Sequence, residues 1–475
     1  MLTADAKAFQ LPAQRIGADG KTHVDLKAIV WLALPFILNS ALNAVLNLTD
    51  TWFIAQLSSQ ATAAMGAIYW ASLALIIFLG GIAIAVQTFA AQAIGANSKT
   101  RAAHWLWIGL YGALCVVPFF WLAAWLGPWA LQRVGLEPAI AQLAIEYWQP
   151  RMWTAPFGTA LWTMLSFING IGKPKVSLIM NVVVAIVNAL LNQLFMFTWG
   201  MGMAGAAWAT GASLLIGLLG TALLLRWPGL FDDYPFAKTW RFRFKSLQSV
   251  FKLGLPTGLF IAFDLIALAF FQLYQTQLGA VGGAATQIVM MLTSIAYMPA
   301  VGIGNAGNTL VAQSIGAGDK QWAGKLGNVS IAMATGYMAS VGILIALLSP
   351  WLMSVFVSPN DPQASEVIRL GITLAWIAAA YQFFDGLNIS SAFCLRAAGD
   401  AKTPALMLGG LAWFVFIPLA QMLTFAPGKT WFSWLPGFGL GAVGGWIAAC
   451  IYIGLLGTIL FWRWRSGAWR QMSLR

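Results

Sequence analysis

The sequence predicts an all-α polytopic membrane protein: 12 transmembrane helices in two pseudo-symmetric six-helix lobes. Three observations carry that prediction. Of 475 residues, 60% are hydrophobic and only 8% charged, where a soluble domain carries roughly 25% charged residues. Twelve stretches are each long and apolar enough to span a bilayer, which takes about 20 residues of helix. A set of residues also recurs at one constant offset, so the chain is written twice.

Residues 1–27 are polar and of mixed charge, without the apolar run of a cleaved leader, and read as a cytoplasmic tail. Apolar cores follow at 29–52, 61–88, 104–127, 143–168, 176–198 and 203–225, making an N-lobe over 28–226. A polar, basic, Pro-bearing linker covers 227–249. Further cores at 250–276, 284–310, 328–355, 368–393, 404–426 and 440–461 make a C-lobe over 250–463. The basic tail 464–475 closes the chain, with Trp462, Trp464 and Trp469 set among Arg463, Arg465 and Arg470 as an interfacial anchor.

An even number of spans puts both termini on one side. Taking that side as cytoplasmic leaves 22 of the 26 Lys and Arg inside, and only Arg133, Arg151, Arg369 and Lys429 outside. That is the positive-inside pattern. The net charge of +12 therefore reports topology and contact with membrane lipid, and no nucleic-acid partner is needed. Cys115, Cys394 and Cys450 lie in apolar segments without metal-ligand or disulfide spacing.

The repeat is specific. Ala91-Gln92-Ala93-Ile94-Gly95-Ala96 returns 221 residues later as Ala312-Gln313-Ser314-Ile315-Gly316-Ala317. Pro35/Pro256, Ala63/Ala284, Ala64/Ala285, Gly81/Gly302 and Thr88/Thr309 share the offset. Gly172-Lys173-Pro174 resembles the Gly399…Pro404 turn, and Gly202-Met203-Ala204-Gly205 resembles Gly441-Ala442-Val443-Gly444. Six helices per half mean that both halves enter the membrane in the same direction. They should be related by an axis along the membrane normal, with a substrate site between them near the midplane. This organisation suits a rocking transporter better than a receptor or an intramembrane enzyme.

Three carboxylates, Asp50, Asp264 and Asp385, sit deep in apolar segments. An ionisable group there is expensive and normally faces a cavity, where it handles an ion, a proton or a substrate. Asn43, Asn47 and Asp50 share one face of the first helix, Asn188 and Asn192 stack on the fifth, and Thr210 adds a hydroxyl on the sixth. If these faces meet, Asp50 has neutral partners and no counter-cation. Such a site suits Na⁺, a hard cation that prefers oxygen ligands, or a proton held by a desolvated carboxyl. The bland alternative is that the amides only join helix to helix, at about 1 kcal/mol each.

On the tenth helix Tyr381 and Asp385 are spaced i, i+4, and Asn388 follows Asp385 at i+3. Asp264 on the seventh is the other acid of this half; two carboxylates held close cannot both ionise cheaply, so the pair suits proton or cation exchange. Asp264 could instead hydrogen-bond a broken helix end. Met290, Met291 and Met298 suit either a pliable substrate pocket or lipid-facing packing. The only histidines, His23 and His104, lie at the cytoplasmic edge, which disfavours hydrolase chemistry. No Arg or Lys is expected at midplane depth, which disfavours a flippase for lipid-linked saccharides or peptidoglycan precursors.

Taken together, Thr49-Asp50-Thr51-Trp52-Phe53, the twice-used A-Q-x-I-G-A turn, the G-M-A-G-A-A-W-A-T run and Gln382-Phe383-Phe384-Asp385 with Leu395-Arg396 and Gly399-Asp400 form an ordered set. Over 28–463 the chain resembles the multidrug and toxic compound extrusion (MATE) transporters, and acids in both lobes resemble the NorM-like bacterial branch. The resemblance implies two lobes around a V-shaped cavity, an inner-membrane location with both termini cytoplasmic, and antiport of small organic molecules against H⁺ or Na⁺, without a cofactor. One chain supplies both lobes, so a monomer is expected to suffice. Carried over by position, the N-lobe cation site is Asp50, Asn188, Asn192 and Thr210, with Pro35 bending the same helix. The C-lobe acids are Asp264 and Asp385, with Tyr381 beside them. Two positions depart from the pattern: Asn192 is an Asp in some members, and Asp264 is commonly a Glu.

Overall fold

The computed structural model describes residues 11–16, 22–133, 137–357, 362–430 and 435–472. Tail residues 1–10, 17–21 and 473–475, with their contribution to the charge asymmetry, lie outside the described residues. The chain forms long helices in sequence order: α1 (Leu26–Ala55), α2 (Ser59–Gly95), α3 (Lys99–Leu131), α4 (Pro138–Gly170), α5 (Pro174–Thr198) and α6 (Gly202–Leu224). They continue as α7 (Phe244–Gln277), α8 (Ala280–Gly316), α9 (Lys320–Phe356), α10 (Ala364–Ala397), α11 (Lys402–Thr424) and α12 (Gly441–Arg465).

Eleven of these are long and apolar enough to cross a membrane. The exception is α4, equally long at 33 residues, whose hydropathy is lowered by Gln142, Glu146, Gln149 and Arg151. It packs against α2, α3 and α6, so its polar positions can face protein rather than lipid. The chain is a helical polytopic membrane protein.

Local signals set the helix ends. The side chains of Asp25, Ser58, Ser98 and Asp319 accept backbone N–H groups at the starts of α1, α2, α3 and α9. Pro138 and Pro174 open α4 and α5, where the missing N–H is not needed. The repeated turn after α4 and α10 requires glycine: Gly172 and Gly399 have φ of 81° and 94°. Both α5 and α11 contain a π-helical segment, at Gln193–Thr198 and Ala412–Phe416, an element that often marks functional positions.

Two segments are more structured than their polarity suggests. In the N-terminal tail, β1 (Gln14–Ile16) pairs antiparallel with β2 (Thr22–Val24). The Pro12 carbonyl beside it accepts from Trp322 Nε1 at 2.9 Å, at the start of α9. The linker contains a helical turn, Phe236–Thr239, bound to α3, and α7 begins at Phe244 instead of near 250. Trp107 Nε1 donates to the Phe236 carbonyl at 2.9 Å and Tyr111 Oη to that of Trp240 at 2.6 Å. His104 lies 3.3 Å from both the Thr239 carbonyl and Ser246 Oγ, at the membrane edge where the sequence put it. Lys99 Nζ sits 2.5 Å from Asp233 Oδ2 and holds that carboxyl below its usual range, but both side chains are exposed, so the pair adds little to stability.

The repeat is written into the contacts between the halves. Gln87 Nε2 donates to Thr309 Oγ1 at 3.0 Å, and Thr88 Oγ1 donates to Asn308 Oδ1 at 3.3 Å. Gln87/Asn308 and Thr88/Thr309 are 221 residues apart, so these are one contact made twice. A Cβ on Gly95 would lie 1.8 Å from the Gln313 carbonyl oxygen, and one on Gly316 would lie 2.0 Å from that of Gln92. Gly81 abuts Gly258 and Gly302 abuts Ile37, again with both members shifted by 221. Gln92 Nε2 caps the Ala397 carbonyl at the end of α10 (2.9 Å), and Gln313 Nε2 caps that of Gly170 at the end of α4 (3.2 Å). These contacts lie in the half of the molecule that ends in the basic loops.

Helices α1 and α7 change partners along their length. In that basic half, Ala33 and Phe36 of α1 cluster with Ile303, Ala306 and Ala334 of the second repeat. Leu247, Val250 and Leu253 of α7 likewise cluster with Ile76, Leu79 and Ile82 of α2. Farther along, Phe53 and Ile54 join α2 and α4, while Phe271 and Tyr274 join the C-lobe core. Each helix thus ties its own half to the other at one end only.

Candidate functional site

In the N-lobe the four residues singled out for a cation site form one hydrogen-bonded chain. Asn192 Nδ2 donates to Asp50 Oδ1 at 2.6 Å and also approaches Asn188 Oδ1 at 3.2 Å. Asn188 Nδ2 donates to Thr210 Oγ1 at 3.4 Å, and Thr210 donates to the Ala206 carbonyl at 2.9 Å. The i, i+4 spacing on α5 carries the chain from α6 to α1. Asn188 and Asn192 are buried, and the Asn192 side-chain oxygen, also buried, has no hydrogen-bond partner. That orphaned oxygen beside a carboxylate is a ready acceptor for a cation or a donor. Asn192 is also the last α-helical residue before the π segment.

Two parts of the sequence reading are corrected here. Asn43 and Asn47 are exposed and stand apart from the chain; the amide pair missed by the sequence is Asn181 Nδ2 to Asn39 Oδ1, at 2.6 Å. Asp50 accepts from Asn192 and forms no ion pair within 4 Å among the described residues, but a cation lies deeper than the sequence reading allowed. Arg151, assigned to the outer side by the charge count, lies well inside α4, and its charge acts on Asp50, Tyr69 and Tyr147. The expectation that no Arg or Lys lies at depth therefore fails. The missed signal was helical: Ala144, Tyr147 and Ala155, which flank Arg151 at three- and four-residue steps, are all buried. Pro35 is buried where α1 crosses α8, 15 residues from Asp50, or about 22 Å along the helix.

Removing the Asn192 amide should be felt directly. An Asn192→Leu protein is expected to lose about 1.5–3 kcal/mol, the range for a hydrogen bond to a charged group, seen as a lower unfolding temperature in detergent. An unchanged melting curve would show that this bond does not hold α1 to α5.

In the C-lobe, Asp385 is buried and accepts from Asn388 Nδ2 at 3.2 Å, as the i+3 spacing predicts. Asp264, half-buried on α7, lies close enough for its charge to reach Asp385. Tyr381 joins them, together with two residues the sequence did not single out, Tyr297 of α8 and Tyr452 of α12. The Tyr452 hydroxyl and the Asn388 carbonyl are buried without partners. Three phenols near two carboxylates add polar groups without adding positive charge. Aromatic residues are so common here (13%) that nothing in the sequence marked these two.

The wall beside Asp264 is apolar. A cleft of about 390 Å³ between α2 and α7 is lined by Trp70, Ala74, Leu265, Ile266, Phe270 and Leu273 among others. Of the methionines considered as pocket lining, Met290 packs against the C-lobe core and Met291 is exposed.

Two helical halves with matched inter-half contacts, one deep carboxylate in the first and two in the second, are the architecture of a membrane transporter. The MatE family model matches residues 35–194 and again 256–422, two matches that begin 221 residues apart at Pro35 and Pro256. The chain belongs to the MatE family and is a transporter, not an enzyme. It is 27% identical over 443 residues to a probable multidrug resistance protein NorM of Brucella suis, covering 91% of each chain. A protein of the same description from Rhizobium meliloti is 28% identical over 460 residues, covering 94% of each. Among solved structures it resembles an outward-facing multidrug resistance MATE transporter of the MOP superfamily (TM-score 0.80, 19% identity, 94% and 97% covered). It also resembles a MOP superfamily transporter from Pyrococcus furiosus, described as having a binding pocket of reversed polarity (TM-score 0.78, 19% identity, 94% and 97% covered). At these identities the structures speak for the fold.

Proposed function

We propose that this chain is a secondary antiporter of the bacterial inner membrane that exports amphiphilic, often cationic, organic molecules in exchange for H⁺ or Na⁺. The observation that carries the proposal is the combination of deep carboxylates in both lobes, Asp50 in one and Asp264 with Asp385 in the other, with inter-lobe contacts concentrated at the basic face. The positive-inside pattern assigns that face to the cytoplasm, and the close contacts there suit a conformation closed on the cytoplasmic side. Coupling ion and substrate would occupy the acids alternately, each favouring a different arrangement of the lobes. The NorM descriptions of the relatives support an efflux substrate of drug type.

The test is reconstitution into liposomes, with a pH gradient and a Na⁺ gradient imposed separately and ethidium efflux followed. Efflux driven by ΔpH alone identifies a proton antiporter; efflux that requires Na⁺ identifies a Na⁺ antiporter. If neither gradient drives efflux, the antiporter reading fails, and a flippase for lipid-linked precursors becomes the reading to test.

A further inference from the structure

We propose that Arg396 and Asn308 hold a small inorganic anion, of the size and charge of chloride, at the seam between the two halves, in a site that is complete only while the halves meet there. The site goes beyond the antiporter reading above and does not depend on which ion is coupled.

Arg396 lies three residues before Gly399, the left-handed residue that follows α10. It is only 7% exposed, yet no carboxylate pairs with it among the described residues. The nearest acid in sequence, Asp400, is held by Arg463, whose Nε lies 3.0 Å from Asp400 Oδ2. The partners of the guanidinium are neutral. Its Nε donates to Asn308 Oδ1 at 3.5 Å, and its central carbon lies 4.3 Å from the centre of the Phe393 ring. The ring face offsets part of the charge, and a hydrogen bond at the limit of its length offsets less. A buried cation without a counter-charge is strongly destabilising.

The remaining donors indicate the occupant. Arg396 Nη2 and Asn308 Nδ2 are both buried, and neither has a hydrogen-bond partner. They are neighbours, because Nε and Nη2 share one edge of the guanidinium and the Asn308 amide meets that edge with its oxygen. An arginine nitrogen only donates, so turning the amide round would set donor against donor. Two unpartnered N–H groups beside a full positive charge select an anion and repel a metal ion or an ammonium group. Water satisfies hydrogen bonds but brings no charge.

The other half of the molecule covers the site. Thr88 and Gln92, one turn apart on α2, donate to Asn308 Oδ1 at 3.3 Å and to the Ala397 carbonyl at 2.9 Å. Asn308 and Ala397 flank the guanidinium, so these contacts shut over it when the seam closes. An anion held there stabilises the closed arrangement, as any ligand favours the state that binds it. The first half contains no second copy. Three residues before Gly172 stands Asn169, which is neutral and whose buried, unpartnered atom is an oxygen. The same turn is thus built without a cation, so closing the helix does not by itself call for Arg396.

The experiment measures binding of radiolabelled chloride to purified full-length protein, with no gradient imposed, and the unfolding temperature as gluconate is replaced by chloride at fixed ionic strength. Wild-type protein should bind chloride saturably and unfold at a higher temperature as chloride rises, as a ligand of the folded state requires. Arg396→Gln should weaken binding by about tenfold or more, the effect of losing a charge-assisted hydrogen bond. Asn308→Asp sets a carboxylate beside the guanidinium in nearly the same volume. It should abolish binding and, in gluconate, unfold no lower than wild type does in chloride. Gly95→Val, whose side chain would collide with the Gln313 backbone across the seam, should weaken binding by about tenfold through loss of the binding-competent arrangement. The assignment is overturned if folded wild-type protein binds no chloride saturably, which would leave water as the partner of these donors. It is equally overturned if Arg396→Gln binds as wild type does, or if Asn308→Asp keeps its chloride dependence; should Arg396→Gln not fold, Asn308→Asp decides. Unchanged binding by Gly95→Val protein whose seam is open refutes the need for the halves to meet. Absence of gradient-driven efflux would refute the antiporter reading and leave the chloride measurement standing.

Discussion

Vesicles containing Asp385→Asn protein will extrude ethidium no faster than empty vesicles under either gradient, while the protein stays monodisperse with an unfolding temperature close to that of wild type. Asparagine keeps the shape of the side chain and can still hydrogen-bond, so the contact with Asn388 need not be lost. What it cannot do is bind and release a proton or offer a full negative charge to a metal cation. Asp264 is the only other carboxylate among the described groups acting on Asp385, and a phenol, with an ordinary pKa of about 10, is a poor proton carrier at neutral pH. A loss of about a hundredfold or more in rate corresponds to roughly 3 kcal/mol of lost coupling. Wild-type efflux from Asp385→Asn vesicles would move coupling out of the C-lobe and refute the arrangement proposed above.

The second large effect is at the closed face. Gly95→Val should prevent the two halves from meeting, because even the first side-chain carbon would lie 1.8 Å from the Gln313 carbonyl oxygen. The obstacle is backbone, which cannot swing aside as a side-chain tip does, and overpacking of this kind costs about 1–3 kcal/mol or more. The closed arrangement should be abandoned while each half remains folded. Spin labels on Asn97 and Gly318, equivalent loop positions 221 residues apart, should report a wider separation than in otherwise wild-type protein, and transport should stop. Gly316→Val should act alike, since its Cβ would lie 2.0 Å from the Gln92 carbonyl. Gly66→Ala is the control: nothing lies within 4 Å of a Cβ there, and alanine favours helix by about 1 kcal/mol. An unchanged label distance in Gly95→Val protein would show that this contact does not hold the face shut.

The N-lobe cluster was legible in the sequence because its geometry is a property of single helices. Asn188 and Asn192 share a face by spacing alone, and a carboxylate amid apolar residues needs partners, so the chain from Thr210 to Asp50 could be anticipated. The same reasoning placed Asp385 with Asn388. It failed at Arg151 because the charge count sorted basic residues only by side and placed Arg151 outside, although α4 keeps it between the buried Tyr147 and Ala155. Tyr297 and Tyr452 were beyond its reach, since a tyrosine becomes part of a site only through neighbours on other helices.

The sequence by itself determined that the chain is a bundle of apolar helices, that it is written twice, and that three acids lie deep within it. Those conclusions rest on the cost of exposing backbone and charge to hydrocarbon, a constraint each segment meets alone. The tertiary structure decided which charges face one another and which end of the molecule is shut. Both depend on close approach between segments far apart in sequence, such as Gly95 against Gln313 and Asn192 against Asp50. Contacts of that kind are set by shape complementarity between helices, and no period within one helix records them.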